Sequence, residues 1–295
     1  MKSATQGAEA VEQENGNVKF YRRFSTKQLL QRRAYRGIKG KMDRKYTRIK
    51  PTKIIGNLYF VGGYEASTHI LETDKGLILI DPGYFETLPI VLENIRTVGL
   101  KETDIKYILI SHAHYDHMDA TKALVEITGA KTFIGKDDLP LLKGEIFHYP
   151  IRPFEPNVLL NDGDIVELGN TRIRCVATPG HTDGTMSFFF DVTENGKTYR
   201  AGMFGGAGTN TLTRVFLEKY NLPYENRQKF IDSIHRLLQE KVDVFIGNHA
   251  ANNATDKKIE RLQTAALNPF IVEGEWEAFL RERLQRIRCV IENNE

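Results

Sequence analysis

The chain is short of cysteine, of long apolar runs and of net charge, and each shortage narrows what it can be. Two cysteines in 295 residues, Cys175 and Cys289, cannot frame a disulfide scaffold. Their separation has no metal-ligand spacing either, so both read as buried, chemically quiet thiols. No stretch approaches the roughly 18 apolar residues of a membrane span, and the opening residues Met1 to Gly7 lack a signal peptide's apolar segment. Cytoplasmic residence is the expectation, or a periplasmic or secreted one if a leader has been removed. There is no Gly-x-Ser-x-Gly elbow for a serine nucleophile. The glycine-rich stretch Gly202 to Gly208 lacks the Lys-Ser/Thr of a phosphate-binding loop. It reads instead as a close backbone approach to substrate or as a flexible loop.

The net charge of +3 hides an uneven distribution. Between Tyr21 and Lys53 stand thirteen Lys/Arg and one acid, Asp43, which leaves 28 basic and 37 acidic residues elsewhere. A basic arm of this kind suits an anionic partner. The interleaved Tyr21, Phe24, Leu29, Leu30, Tyr35 and Tyr46 argue rather for docking on an acidic neighbour, since a polyanion-binding tail needs no apolar anchors. Residues 1–50 are therefore expected to be a basic, partly disordered N-terminal arm (1–17 disordered, 25–36 helical), followed by a single domain over 51–295. Nucleic acid is not the expected partner.

From Pro51 onward the texture is that of short strands alternating with helices. Strands are expected over Ile54–Val61, Ser67–Glu72, Leu77–Ile80, Ile105–Ser111 and Lys131–Ile134, then Asp164–Leu168, Thr171–Ala177, Met186–Asp191, Lys197–Gly202 and Val244–Ile246. Helices are expected over Pro89–Val98, Ala120–Thr128, Glu225–Lys241 and Trp276–Ile291. Strand clusters followed by helices occur twice. That pattern predicts an α/β (α+β) fold of four layers, an αββα sandwich.

The chemistry concentrates in Ser111-His112-Ala113-His114-Tyr115-Asp116-His117, directly after an apolar strand. Four metal-capable side chains within six residues cannot all wrap one tetrahedral ion. His112 and His114 can face one ion while Asp116 and His117 turn toward a second. Imidazole and carboxylate suit zinc and related first-row metals. His181, in the turn Thr178-Pro179-Gly180-His181, and His249, in Gly247-Asn248-His249, each follow a strand as well. Three histidine clusters at three strand ends imply convergence on one rim. His69 and His235, alone in strand and helix patterns, read as packed or exposed histidines. His148 and Tyr149, in an aromatic loop, are candidates to border the pocket.

On these residues the chain resembles the metallo-β-lactamase superfamily from about Ile54 to Ala250. The resemblance also rests on Asp81-Pro82-Gly83, Asp162-Gly163-Asp164 and the Pro-Gly-His-Thr turn. It is most similar to the β-lactamase subclass with a His-His-His first site and an Asp-His-His second. By that resemblance His112, His114 and His181 bind one zinc, and Asp116, His117 and His249 a second, with iron or manganese as alternatives. Asp81 would orient a ligand imidazole. Asp116 would orient the nucleophile, a hydroxide bridging the two metals. The implied reaction is opening of a cyclic amide of the β-lactam kind. The alternatives are hydrolysis of a lactone, ester or thioester, nucleic-acid processing, and metal-dependent binding without catalysis.

Two departures bear on substrate. Superfamily members that act on thioesters or RNA carry a bridging aspartate where this chain reads Met203 to Gly208, without a carboxylate. The lactamase subclass carries serines nearby that hold the drug's carboxylate, and Gly206 and Gly208 take their places. Thr209 and Asn210 are the candidate substitutes, and Tyr115 is a further candidate to meet substrate. The proline common after the last histidine is also missing at Ala250. The expected partner is a small molecule with a hydrolysable carbonyl, and a homodimer is compatible with the sequence.

Overall fold

The structure, a computed structural model, describes residues 46–145, 152 and 154–294. The arm up to residue 45, including the helix expected over 25–36, and His148 and Tyr149 lie outside the described residues. The last residues assigned to the arm join the fold: Ile49 is buried, and Arg48 pairs with Glu93 at 3.2 Å.

Two sheets form the centre. The first has seven strands in sequence order: β1 Thr52–Ile55, β2 Leu58–Phe60, β3 His69–Thr73, β4 Gly76–Ile80, β5 Ile105–Ile110, β6 Lys131–Gly135 and β7 Val158–Leu160. β1 to β4 are antiparallel, and β4 to β7 run parallel. The second sheet has the order β12-β11-β10-β9-β8, built from β8 Ile165–Leu168, β9 Thr171–Ala177, β10 Met186–Glu194, β11 Lys197–Met203 and β12 Val244–Phe245. It is antiparallel except where β12 joins β11.

The period-two alternation of side chains sorts the apolar residues into three layers. Ile78, Ile80, Phe188 and Phe190 point between the sheets, where they pack with Phe60, Leu109, Ile173 and Met203. Leu77 and Leu79 point the other way, onto helices α1 Leu88–Thr97, α3 Thr121–Thr128 and α4 Leu139–Leu142. Phe189 and Val176 face α6 Glu225–Leu237 and α8 Glu275–Glu292, where Phe230, Ile234, Trp276 and Leu280 cover them. The four-layered αββα sandwich expected from the sequence is the observed fold.

Short elements escape the periodicity reading: β7, the one-turn helix α2 Tyr115–Met118, α4, α5 Arg214–Lys219 and α7 Thr255–Arg261. One expectation is corrected. Cys175 is buried between the sheets, but Cys289 is exposed, because it falls on the outer face of α8 while Ile287 and Val290 turn inward. Among the described residues no helix is long and apolar enough to cross a membrane.

Candidate metal centre

Strand β5 is apolar to Ile110 and then gives way to histidine at the rim of the first sheet. His114 stays extended at φ −79°, ψ 146°, and the chain turns helical at Tyr115. Alternation in the extended stretch sends His112 and His114 to one side. The helical turn swings Asp116 and His117 to another. The turn after β9 delivers His181 and the turn after β12 delivers His249.

Two groups of three result, His112–His114–His181 and Asp116–His117–His249, each with ligand atoms within 4.8 Å of one another. In the first, His114 Nδ1 lies 3.0 Å from His181 Nε2. In the second, His117 Nε2 lies 3.3 Å from His249 Nε2, and Asp116 Oδ2 lies 3.4 and 3.8 Å from those two nitrogens. Bonds of about 2.0–2.1 Å around a tetrahedral zinc place neighbouring ligand atoms roughly 3.3 Å apart. The donor types and their spacing therefore fit a metal ion in each group. The groups adjoin, with the His112 and His117 rings 4.3 Å apart.

The imidazoles are held from behind. Asp81 closes β4 with φ +53°, a left-handed conformation uncommon outside glycine and tolerated best by Asp and Asn. That geometry turns its carboxylate toward β5. Oδ1 accepts from the Ser111 amide at 2.7 Å, while Oδ2 accepts from the Ser111 hydroxyl at 2.7 Å and from His117 Nδ1 at 2.8 Å. With its proton committed to Asp81, the Ser111 oxygen accepts from His112 Nδ1 at 3.0 Å. One buried carboxylate thus fixes the ring orientation of a histidine in each group. His181 Nδ1 donates to the Gly208 carbonyl at 2.8 Å, and His249 Nδ1 to the Glu65 carbonyl.

Burial, reinforced by the neighbouring histidines, holds His112 and His114 well below the usual imidazole range, and burial lowers His181 to about 4. Neutral imidazole is the form that binds a metal. Burial works against the Asp116 charge, but His117, His249 and His114 outweigh it and hold the carboxyl below its usual range. His117 is the reverse case: burial opposes its charged form, and Asp116 and Asp81 raise it.

The pocket candidates scatter. Tyr115 stands at the rim, 38% exposed, with its ring edge-on to Tyr84. Thr209 is buried and Asn210 exposed. Gly206 is buried, and a Cβ there would meet His181 Cβ at 2.8 Å and Thr185 Cγ2 at 2.9 Å. Gly206 and Gly208 thus make room for His181, and Gly205 for the Met186 carbonyl. His69 is packed in β3 against Phe60, and His235 is exposed on α6.

Sequence reasoning assigned no role to Ser111 or to Thr211, whose hydroxyl donates to the His181 carbonyl at 3.0 Å. Ser111 had one available signal, its position immediately before the first histidine. In place of the missing proline after His249, asparagines fasten the loop. Asn248 Nδ2 donates to the Gly205 carbonyl at 2.7 Å, and Asn253 Nδ2 to the Phe245 carbonyl at 2.8 Å.

Comparison with known proteins agrees with this geometry. The metallo-β-lactamase superfamily matches residues 61–195. The chain is 29% identical over 131 residues to the probable polyketide biosynthesis zinc-dependent hydrolase PksB of Bacillus subtilis, covering 43% of this chain and 52% of that protein. It is 30% identical over 170 residues to the hydroxyacylglutathione hydrolase of Pelagibacter ubique, covering 58% of this chain and 60% of that one. The matches thus span little more than half the length of these curated relatives. Among solved structures, the subclass B3 metallo-β-lactamase BJP-1 of Bradyrhizobium japonicum is similar with a TM-score of 0.79 and 26% identity, over 86% of this chain and 97% of that one. Native FEZ-1 of Legionella gormanii gives 0.78 and 26%, over 84% and 97%.

Proposed function

We propose that the chain, matched by the metallo-β-lactamase superfamily over residues 61–195, is a metal-dependent hydrolase that uses two zinc ions to open a cyclic amide, β-lactam-like rings first. The observation that carries the reading is the pair of converging ligand triads, one of three histidines and one of Asp-His-His. In this reading His112, His114 and His181 hold one ion, and Asp116, His117 and His249 the other. Bound ions would supply a Lewis acid for the carbonyl and lower the pKa of a water to about 7.

The chain's own residues do the rest. Asp116 turns Oδ2 toward His117 and His249, and its carboxylate would accept a hydrogen bond from the attacking water and fix its approach. Asp81 and Ser111 keep His112 and His117 in the tautomers that present Nε2 to the cleft. Neither Ser111 nor Cys175 competes as a nucleophile. The Ser111 hydroxyl is committed to Asp81, and burial between the sheets pushes the Cys175 thiol up to about 12.

A second reading, hydrolysis of a lactone, ester or thioester, is favoured by one observation. At Gly206 the space a carboxylate-binding side chain would use is filled by His181. The test is a hydrolysis panel on the zinc-loaded protein: a chromogenic cephalosporin, a simple lactone, an S-acyl glutathione and a phosphodiester. The expected result is ring opening of the cephalosporin, lost on chelation and restored by zinc. Turnover confined to the lactone or thioester would select the second reading, and no turnover of any carbonyl substrate would overturn both.

A further inference from the structure

We propose that Asp138 is a positioning residue for the three-histidine group, a buried carboxylate that locks the loop carrying His112 and His114 to the loop carrying His181. The inference rests on reading that group as a metal site. Asp138 lies just beyond β6, in a single 3-10 turn over Lys136–Asp138, and is 1% exposed. Within the sequence Lys136-Asp137-Asp138 it looks like part of a solvated charge run. The fold instead turns it inward, onto two other loops.

Both of its oxygens are in use. Oδ2 accepts from the amide of Ala113, the residue between His112 and His114, at 2.7 Å. The same oxygen accepts from the Thr182 hydroxyl at 3.0 Å, and Oδ1 accepts from the Gly184 amide at 2.8 Å. Thr182 follows His181 directly and Gly184 stands three residues after it. One carboxylate therefore joins the two ligand-bearing loops of the first group, at positions separated by 69 residues in sequence, without touching a ligand itself.

The backbone is built to bring it there. A Cβ on Gly184 would lie 2.2 Å from the Asp138 amide nitrogen, and one on Gly135 would lie 2.0 Å from the Gly184 carbonyl oxygen. Neither glycine has a positive φ, so close approach of the two loops is what calls for glycine at these positions. Among the hydrogen bonds of the described residues, Asp138 makes none to the loops that carry His249 or to Asp116 and His117. Its influence is directed at one group of the two. An amide in its place would put an NH₂ against one of the N–H donors that the carboxylate now accepts.

The experiment measures zinc affinity by competition with a chromophoric chelator in two backgrounds. His249→Ala leaves the three-histidine group to be read alone, and His181→Ala leaves the Asp-His-His group. Adding Asp138→Asn is expected to weaken binding about 10- to 100-fold in the His249→Ala background and less than about twofold in the His181→Ala background. Thr182→Val, which removes one donor and leaves the carboxylate, should give the same asymmetry at about threefold, and it serves if Asp138→Asn does not fold. Equal losses in both backgrounds, or a lowered Tm with affinities unchanged, would overturn the proposal. A His249→Ala protein that binds no zinc with Asp138 intact would overturn instead the reading of the first group as a metal site.

Discussion

The two ligand groups share a rim and a 4.3 Å ring contact between His112 and His117, yet they are built on different principles. The first is all imidazole. His112 is 1% exposed and His114 6%, and His181 is wedged over Gly206. The second contains a carboxylate and is open, the side chains of Asp116 and His249 being 19% and 35% exposed. Rigidity in the first comes from loops tied to each other through Asp138. Rigidity in the second comes from Asp81 behind His117 and the Glu65 carbonyl behind His249. A buried neutral triad fixes an ion by geometry. An exposed triad with a negative charge offers Coulombic attraction and an open side for a water or substrate. In the proposed reading the first group would fix its ion by geometry, and the second would add a carboxylate beside an open side.

The largest expected effects test that division directly. His112→Ala should leave one zinc per chain and lower kcat/KM by more than about 100-fold, since loss of a ligand outweighs loss of an outer partner. Asp116→Asn keeps the shape of the second group and removes its charge. It should lower kcat about 10²- to 10⁴-fold, the scale of a general acid–base contribution, and leave affinity at the three-histidine group unchanged. Zinc stoichiometry by emission spectrometry and steady-state kinetics check both. An Asp116→Asn protein with intact kcat would erase the contrast between the groups.

Asp81 is where the contrast should fail, because it serves both groups. Its Oδ2 holds His117 directly and His112 through the Ser111 hydroxyl. Asp81→Asn is therefore expected to weaken both zinc affinities about 10- to 100-fold, and Ser111→Ala only the first. Competition titrations resolve the two steps. Loss confined to the second group in Asp81→Asn would show that the Ser111 link carries no orientation to His112.

These residues also mark how far the sequence could be read. The six candidate ligands were legible because each follows a predicted strand, so that strand ends and histidines coincide without knowledge of tertiary structure. The layers were legible because strand clusters followed by helices occur twice, although apolar stretches such as Leu77–Ile80 do not say in sequence which side chain faces which layer. β7, with three residues, and α2, with a single turn, are too short for any period to register. Asp138, Ser111 and Thr211 stayed unread for a different reason. Each acts by a hydrogen bond to another loop or to a neighbouring residue's backbone or ring, and nothing local separates Asp138 from Asp137 beside it. The glycines at 205 to 208 read as a close approach to substrate or a flexible loop, whereas the neighbours that call for them are the Met186 carbonyl at Gly205 and His181 at Gly206 and Gly208.

The smallest effect comes from a buried histidine that belongs to neither group, and it separates acid acting on the rim from acid acting on the fold beneath. His69 lies on β3 with its ring edge-on to Phe60, is 1% exposed, and has no hydrogen-bond partner at Nδ1. Burial lowers it from 6.5 to about 3. The unfolded chain therefore binds a proton below about pH 6.5 that the native chain refuses until about pH 3. Stability associated with a neutral His69 is complete above pH 6.5 and is lost progressively as pH falls toward 3. Between pH 7.5 and 5 the loss is about 2 kcal/mol, at about 1.4 kcal/mol per pH unit below the unfolded value. His69→Leu keeps an apolar side chain beside Phe60 and removes the titration. Its urea-unfolding free energy should therefore fall by about 2 kcal/mol less than that of the unmodified chain over the same interval. Taking that difference cancels the rim histidines, which are present in both proteins. Parallel curves for the two would remove His69 as a source and leave the acid sensitivity to the ligand groups and to ion-paired carboxylates held below their usual range, such as Glu102 and Asp162.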